Sequence, residues 1–132
     1  MNDQGYPWDE KVRDIRSKGV LGMQLYVIVT RPAGGMDAVL ENLGAHLAYQ
    51  KDLEATGVMF AAGPFANEDE TLWQGAGMVI VRAGSVELAR EIAAADPMHT
   101  SGARDFTVQP WLLNEGSLTF RVTYSDGKRE IS

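Results

Sequence analysis

A chain of 132 residues is the length of one domain and can bury roughly two-thirds of its unfolded surface without covalent staples. It contains no cysteine, which excludes a disulfide framework, thiolate metal sites, iron–sulfur clusters and a cysteine nucleophile, and which fits the cytoplasm. A net charge of −6 without a Lys/Arg cluster argues against nucleic acid, whose phosphates must be neutralised by basic groups, and favours a small-molecule or protein partner.

The amino-terminal stretch MNDQGYPWDEKVRDIR is polar and charged, and no later segment is long and apolar enough to span a bilayer. A soluble, unprocessed protein with no membrane partner is therefore expected. Residues 1–22 read as an arm. Within it Pro7–Gly19 can form a short helix with Trp8, Val12 and Ile15 on one side and Asp14 and Lys18 as an i,i+4 pair. The apolar face is narrow, which leaves two readings open, a packed arm or a frayed tail.

Residues 23–132 read as one domain. Met23–Thr30, MQLYVIVT, is β-branched, aromatic and almost wholly apolar, as a strand covered on both faces should be, and Arg31-Pro32-Ala33-Gly34-Gly35 breaks it. The next segment, Met36 to Phe65, predicts a helix, a tight turn and a buried strand. At 100° per residue Met36, Leu40, Leu43 and Leu47 share one face, with Val39 and Leu53 beside it, and Gly57 ends the helix. His46 falls on the flank of this stripe, about 60° from its centre. Val58–Ala62 is the apolar strand, closed by Gly63-Pro64, where proline forces the strand to stop or to lie at an edge. Asn67–Thr71 is an acidic loop. Trp73 follows it with no evident core position, either tucking the loop onto the domain or stacking on a ligand.

Gly77–Arg82 predicts a third strand, and Ser85 caps a second helix through Val86, Leu88, Ala89, Ile92 and Ala93. Asp96-Pro97 ends it, because the residue before proline is pushed out of the α region. Phe106, Val108 and Pro110 alternate with Thr107, Gln109 and Trp111 in a fourth strand, and Leu118–Tyr124 alternates in a fifth, expected to have one wet face and to pair along a sheet edge of its own or of a partner subunit. Ser125–Lys128 is a turn, and Arg129–Ser132 a tail or return strand.

The resulting order is β-α-β-β-α-β with an added carboxy-terminal strand, an α+β, ferredoxin-like subunit with both helices on one face of an antiparallel sheet. The other face carries apolar side chains with no cover from the chain, and a homodimer is the expected answer.

Two residues stand out for chemistry. Asp96 lies at a helix carboxy terminus, where the macrodipole disfavours a carboxylate, so it is either the cap of a new turn through Pro97, Met98, His99 and Thr100 or part of a site. His46 is either a hydrogen-bonded structural residue or a base. His46 in AHLAYQKDLEATG, Gly63-Pro64 after an apolar strand, Ser85 opening the second helix and Asp96-Pro97 closing it resemble the YciI-like (YCII-related) family over roughly Met23 to Trp111. That resemblance implies a ferredoxin-like subunit, a dimeric α/β-barrel in which two sheets face each other, and a pocket holding a histidine and an aspartate, here His46 and Asp96. The family's wider group includes a chlorinated hydroxyquinol dehydrochlorinase and is similar in fold to muconolactone isomerase. It implies proton-transfer chemistry on small ring-derived acids or phenols.

A histidine held by a carboxylate is a competent general base and requires no cofactor. Around the pair, Gly63, Pro64, Trp73 and His99 are the expected substrate contacts. Gly63-Pro64 otherwise only terminates a strand, and His99 is otherwise an exposed turn residue. No metal-ligand spacing, nucleophile elbow or phosphate-binding glycine pattern is present. Two functions remain: a cofactor-free lyase or isomerase, and a non-catalytic ligand-binding or accessory protein using the same pocket.

Overall fold

The computed structural model describes residues 4–132, so residues 1–3 of the expected arm lie outside the described residues. Gln24–Leu112 forms one compact unit, and the segments up to Met23 and from Leu113 to Ser132 form another. The sequence reading draws its single boundary at residues 22 and 23.

The larger unit carries a four-stranded sheet with the order β2-β3-β1-β4. Its strands are β1 (Met23–Pro32), β2 (Met59–Ala66), β3 (Trp73–Val81) and β4 (Arg104–Leu113). β3 runs antiparallel to both β1 and β2, the split βαβ order expected of a ferredoxin-like α+β unit. Alternation sets the faces. Tyr26 and Ile28 of β1 and Val79 and Val81 of β3 pack with Ala89 and Ala93 of α3 (Val86–Ala94), while Phe106 and Val108 of β4 close the same core. Ser85 caps α3 by accepting from the Leu88 N–H at 3.2 Å.

The long helix α2 (Met36–Ala55) lies on that same face, but its buried stripe differs from the leucine stripe read from the sequence. Val39 and His46 are buried, Leu43, Gln50 and Leu53 are partly so, and Leu40 and Leu47 are 55 % and 47 % exposed. Spacings of three and four through 39, 43, 46, 50 and 53 make one face, so His46 sits at its centre rather than on its flank. Hydrophobicity alone placed the stripe about one residue too far round, because the polar His46 has a buried partner and Leu40 does not. Gly57, at φ 79°, ends the helix as expected.

Two strands also differ from expectation. β2 runs through Gly63-Pro64 to Ala66, so of the two expectations at Pro64, a stop or an edge position, the edge position holds. It can do so because it is an edge strand, where a missing N–H breaks no ladder, and it bulges at Met59/Ala61 and again at Pro64/Ala66. An edge strand lacks a neighbour on one side, so β2 is largely exposed rather than buried, with Phe60 37 % accessible. β3 begins at Trp73 rather than at Gly77, so the tryptophan that follows the acidic loop is a strand residue. Trp73 packs against the small cluster of Val39, Met98 and Ala103.

In the second unit, α1 (Trp8–Ser17) has Asp9 and Glu10 in its first turn and Arg16 in its last, which suits the helix dipole. Lys18 Nζ pairs with Asp14 at 3.0 Å, as the spacing predicts. Arg16 Nε donates to Gly22 O at 3.0 Å. The strand expected at Leu118–Tyr124 is only Phe120–Val122 (β5), and its partner is the return strand Arg129–Ile131 (β6) in a two-stranded antiparallel ribbon. Both strands are exposed throughout, so the expected division into a wet and a dry face is absent. A two-stranded ribbon has no second layer of its own to bury either face.

Candidate functional site

The buried face of α2 delivers His46 to Asp96, the N-cap of the short helix α4 (Pro97–Thr100). His46 Nδ1 lies 2.8 Å from each carboxylate oxygen, and the two residues are 6 % and 5 % exposed. The same Oδ1 accepts the Met98 backbone N–H at 2.9 Å. Cap and site, set against each other in the sequence, are thus one arrangement: the proline-opened turn orients the carboxylate, and the carboxylate orients the imidazole. A carboxylate accepts only, so Nδ1 must carry the proton it donates. In the neutral ring Nε2 then holds a free lone pair. Among the described residues Nε2 has no hydrogen-bond partner, and it is not sealed from solvent.

His46 lines a cavity of about 350 Å³ between α2 and the β2–β3 side of the sheet. Gly63, Pro64 and Trp73 line it too, so three of the four expected substrate contacts share a space with the histidine. Leu43, Met78 and Val79 add apolar wall. Trp73 is held in place by its Nε1–H, which donates to Ala76 O at 3.0 Å. Asp96 stands behind the imidazole and is not part of the wall.

His99 is also absent from the wall. It is a half-buried residue rather than an exposed turn histidine, with its ring 4.4 Å from that of Phe106. Nδ1–H donates to Ala93 O at 2.5 Å, and Nε2 lies 2.8 Å from Thr30 Oγ1 and accepts its hydroxyl. Both ring nitrogens are therefore engaged. Burial pushes its pKa below the usual histidine value, opposed by the Ala93 carbonyl and the Asp96 carboxylate, while Arg104 and His46 add to the lowering. The ring ties β1 to the end of α3, and α4 carries it there.

Arg104 escaped the sequence reading. It is 5 % exposed, lines the cavity, and donates from Nε to Gly75 O at 2.7 Å. Burial lowers its pKa and the Asp96 carboxylate opposes the shift. The signal was available: extending the alternation of Phe106, Val108 and Pro110 back by two residues puts Arg104 on the core face. Gln50 and Thr30 complete the polar lining.

Among the described residues no three or more His, Cys, Asp or Glu side chains gather where they could hold a metal ion, and no helix is long and apolar enough to cross a membrane.

Comparison with known proteins bears on this architecture. The chain is 32 % identical over 75 residues to the uncharacterized protein YjpA of Bacillus subtilis (strain 168), a match covering 57 % of this chain and 81 % of that protein. Among solved structures it is similar to the 5-chloro-2-hydroxyhydroquinone dehydrochlorinase TftG of Burkholderia phenoliruptrix AC1100, determined in complex with 2,5-dihydroxybenzoquinone. The TM-score is 0.55 at 24 % identity, over 66 % of this chain and 92 % of that one, a likeness of fold. The family model of the YCII-related domain matches residues 23–112, which contain the whole sheet-bearing unit and every residue of the cavity, and the chain belongs to that family.

Proposed function

We propose that this protein is a small enzyme that moves a proton on a ring-derived acid or phenol, by isomerisation or by elimination of a leaving group, without a cofactor. The observation that carries this reading is the buried His46–Asp96 pair, whose imidazole lines a largely apolar cavity while Nδ1 is held by the carboxylate. His46 Nε2 takes a proton from the substrate, and the Nδ1–H bond to Asp96 stabilises the resulting imidazolium. The imidazolium then returns the proton to another atom, or the substrate anion expels its leaving group and the proton passes to water. Gly63, Pro64 and Trp73 shape the wall against which a flat ring would lie. The fold likeness to a dehydrochlorinase supports the same chemistry.

The functional unit in this proposal is a homodimer. Val27 and Val29 of β1 alternate with the helix-facing residues and are only half-buried, which leaves apolar sheet surface for a second copy to cover.

Proton abstraction is read directly by deuterium exchange. Small cyclic acids and hydroxyquinones in deuterated water, followed by NMR with and without the protein, should show catalysed loss of a ring-adjacent C–H signal that His46→Ala abolishes. Exchange at equal rates with wild type and His46→Ala would refute the assignment. Saturable binding with no exchange for any compound would leave only the ligand-binding reading.

A further inference from the structure

We propose that Arg104 is the anion-binding residue of the cavity and that the ligand is a single-ring compound bearing a carboxylate. The inference deepens the proposed function and rests on it only for the chemistry at His46. Its own basis is an unpaired buried cation. The ion pairs among the described residues are Arg13–Asp9, Lys18–Asp14 and His46–Asp96, and Arg104 joins none of them. Its single hydrogen bond among the described residues, from Nε to Gly75 O, leaves both terminal amino groups without a partner there, and neither is sealed from solvent. A buried guanidinium is costly unless something negative meets it. Asp96 is already committed to His46 and to the cap of α4.

The geometry of the fork favours a carboxylate over a single oxyanion. Gly75 O fixes Nε, and Gly75 can present that carbonyl because φ is 90°, a conformation glycine adopts freely. With Nε held, the two terminal amino groups form a planar pair of donors matched to two carboxylate oxygens. Gln50, whose amide makes no hydrogen bond among the described residues, offers one further polar contact in the same wall. The remaining walls are apolar, and about 350 Å³ lies at the small end of the ligand-pocket range, so one ring fits better than two. The cation would also offset the negative charge that develops when His46 removes a proton from the bound acid.

The test is calorimetric titration of the full chain with benzoate, 2-hydroxybenzoate and the neutral isostere benzamide. The carboxylates should bind roughly 10- to 100-fold more tightly than benzamide, the worth of charge-assisted hydrogen bonds, and Arg104→Met should remove that preference. Carboxylates that bind no tighter than benzamide, that do not bind at millimolar concentration, or that keep their preference in Arg104→Met would overturn the proposal. If Arg104→Met fails to fold, Arg104→Lys keeps the charge and loses the fork. A preference cut several-fold supports the assignment, and an undiminished one overturns it. A carboxylate preference without deuterium exchange would count against proton transfer alone, whereas exchange without anion preference would count against Arg104 alone.

Discussion

Asp96 Oδ1 accepts two hydrogen bonds of different purpose, from His46 Nδ1 at 2.8 Å and from the Met98 backbone N–H at 2.9 Å. One belongs to the site and the other to the fold, so substitutions at this position should separate activity from stability. Asn keeps an oxygen for the cap but presents an amide to the imidazole, which favours the tautomer with the proton on Nε2 and removes the base. Asp96→Asn should lower the exchange rate by roughly 10²- to 10⁴-fold with little change in unfolding midpoint. Asp96→Ala should lose the rate as well and cost about 1 kcal/mol or more in stability, because cap and buried partner go together. Urea melts beside exchange rates for the two variants check this, and equal destabilisation by both would show that the cap is not what Asp96 contributes to the fold.

Much of this was legible in the chain. The Asp96-Pro97 boundary, the Ser85 cap and the Gly57 stop are local signals, and each lies where a side-chain hydrogen bond or a positive φ requires it. The stripe on α2 is not legible from hydrophobicity, because that ranking favours Leu40 over His46, and only the Asp96 side chain, 50 residues away, makes a buried histidine tolerable. At Pro64 the sequence leaves a stop and an edge position open, and only the strand order decides for the edge. For Arg104 the alternation of β4 shows the core face, but nothing near it in sequence announces Gly75 O, the partner that lets a cation sit there.

His99 gives a pH signature of stability. Burial lowers its folded pKa below the unfolded value of about 6.5, so between the two the unfolded chain binds a proton that the native chain does not. The His99 contribution is fully present above about pH 6.5 and is lost as pH falls through the folded value. Thermal midpoints should therefore drop on acidification below about pH 6.5, and His99→Gln should flatten that drop. Because His46 is present in both proteins, the difference between the two profiles isolates His99. Parallel profiles would mean that the ring binds its proton equally well in the folded and unfolded states.

Association should depend on the helix-free face. Val29 lies in β1 between Ile28 and Thr30, which are buried, and is itself only half-buried. A carboxylate placed there would be desolvated by a second copy but tolerated by a monomer. Sedimentation should find the unaltered protein dimeric at micromolar concentration and Val29→Glu shifted to monomer with its helical circular dichroism retained. A stable monomer in the unaltered protein would remove the dimer from the proposal.

Gly75 links the fold to the proposed anion site, and Gly75→Ala should damage both. The residue has φ 90°, and a Cβ there would lie 2.7 Å from Pro32 Cγ and 2.8 Å from Met36 Sδ. The substitution thus carries two penalties: a left-handed backbone strained for alanine, of order 1–3 kcal/mol, and a collision where the start of α2 meets β3. Gly57→Ala is the control, because its φ is 79° and nothing lies within 4 Å of the added methyl. Gly57→Ala should show the backbone cost alone. Any excess in Gly75→Ala measures the collision, and relief by the backbone turning its carbonyl would release Arg104 Nε as well. Denaturant melts of both variants should rank Gly75→Ala as clearly the less stable, and benzoate affinity should fall only in that variant. Equal melts would mean that α2 can move away from β3 at no cost. If benzoate affinity were unchanged in a destabilised Gly75→Ala, the Gly75 carbonyl would not be what aims the guanidinium.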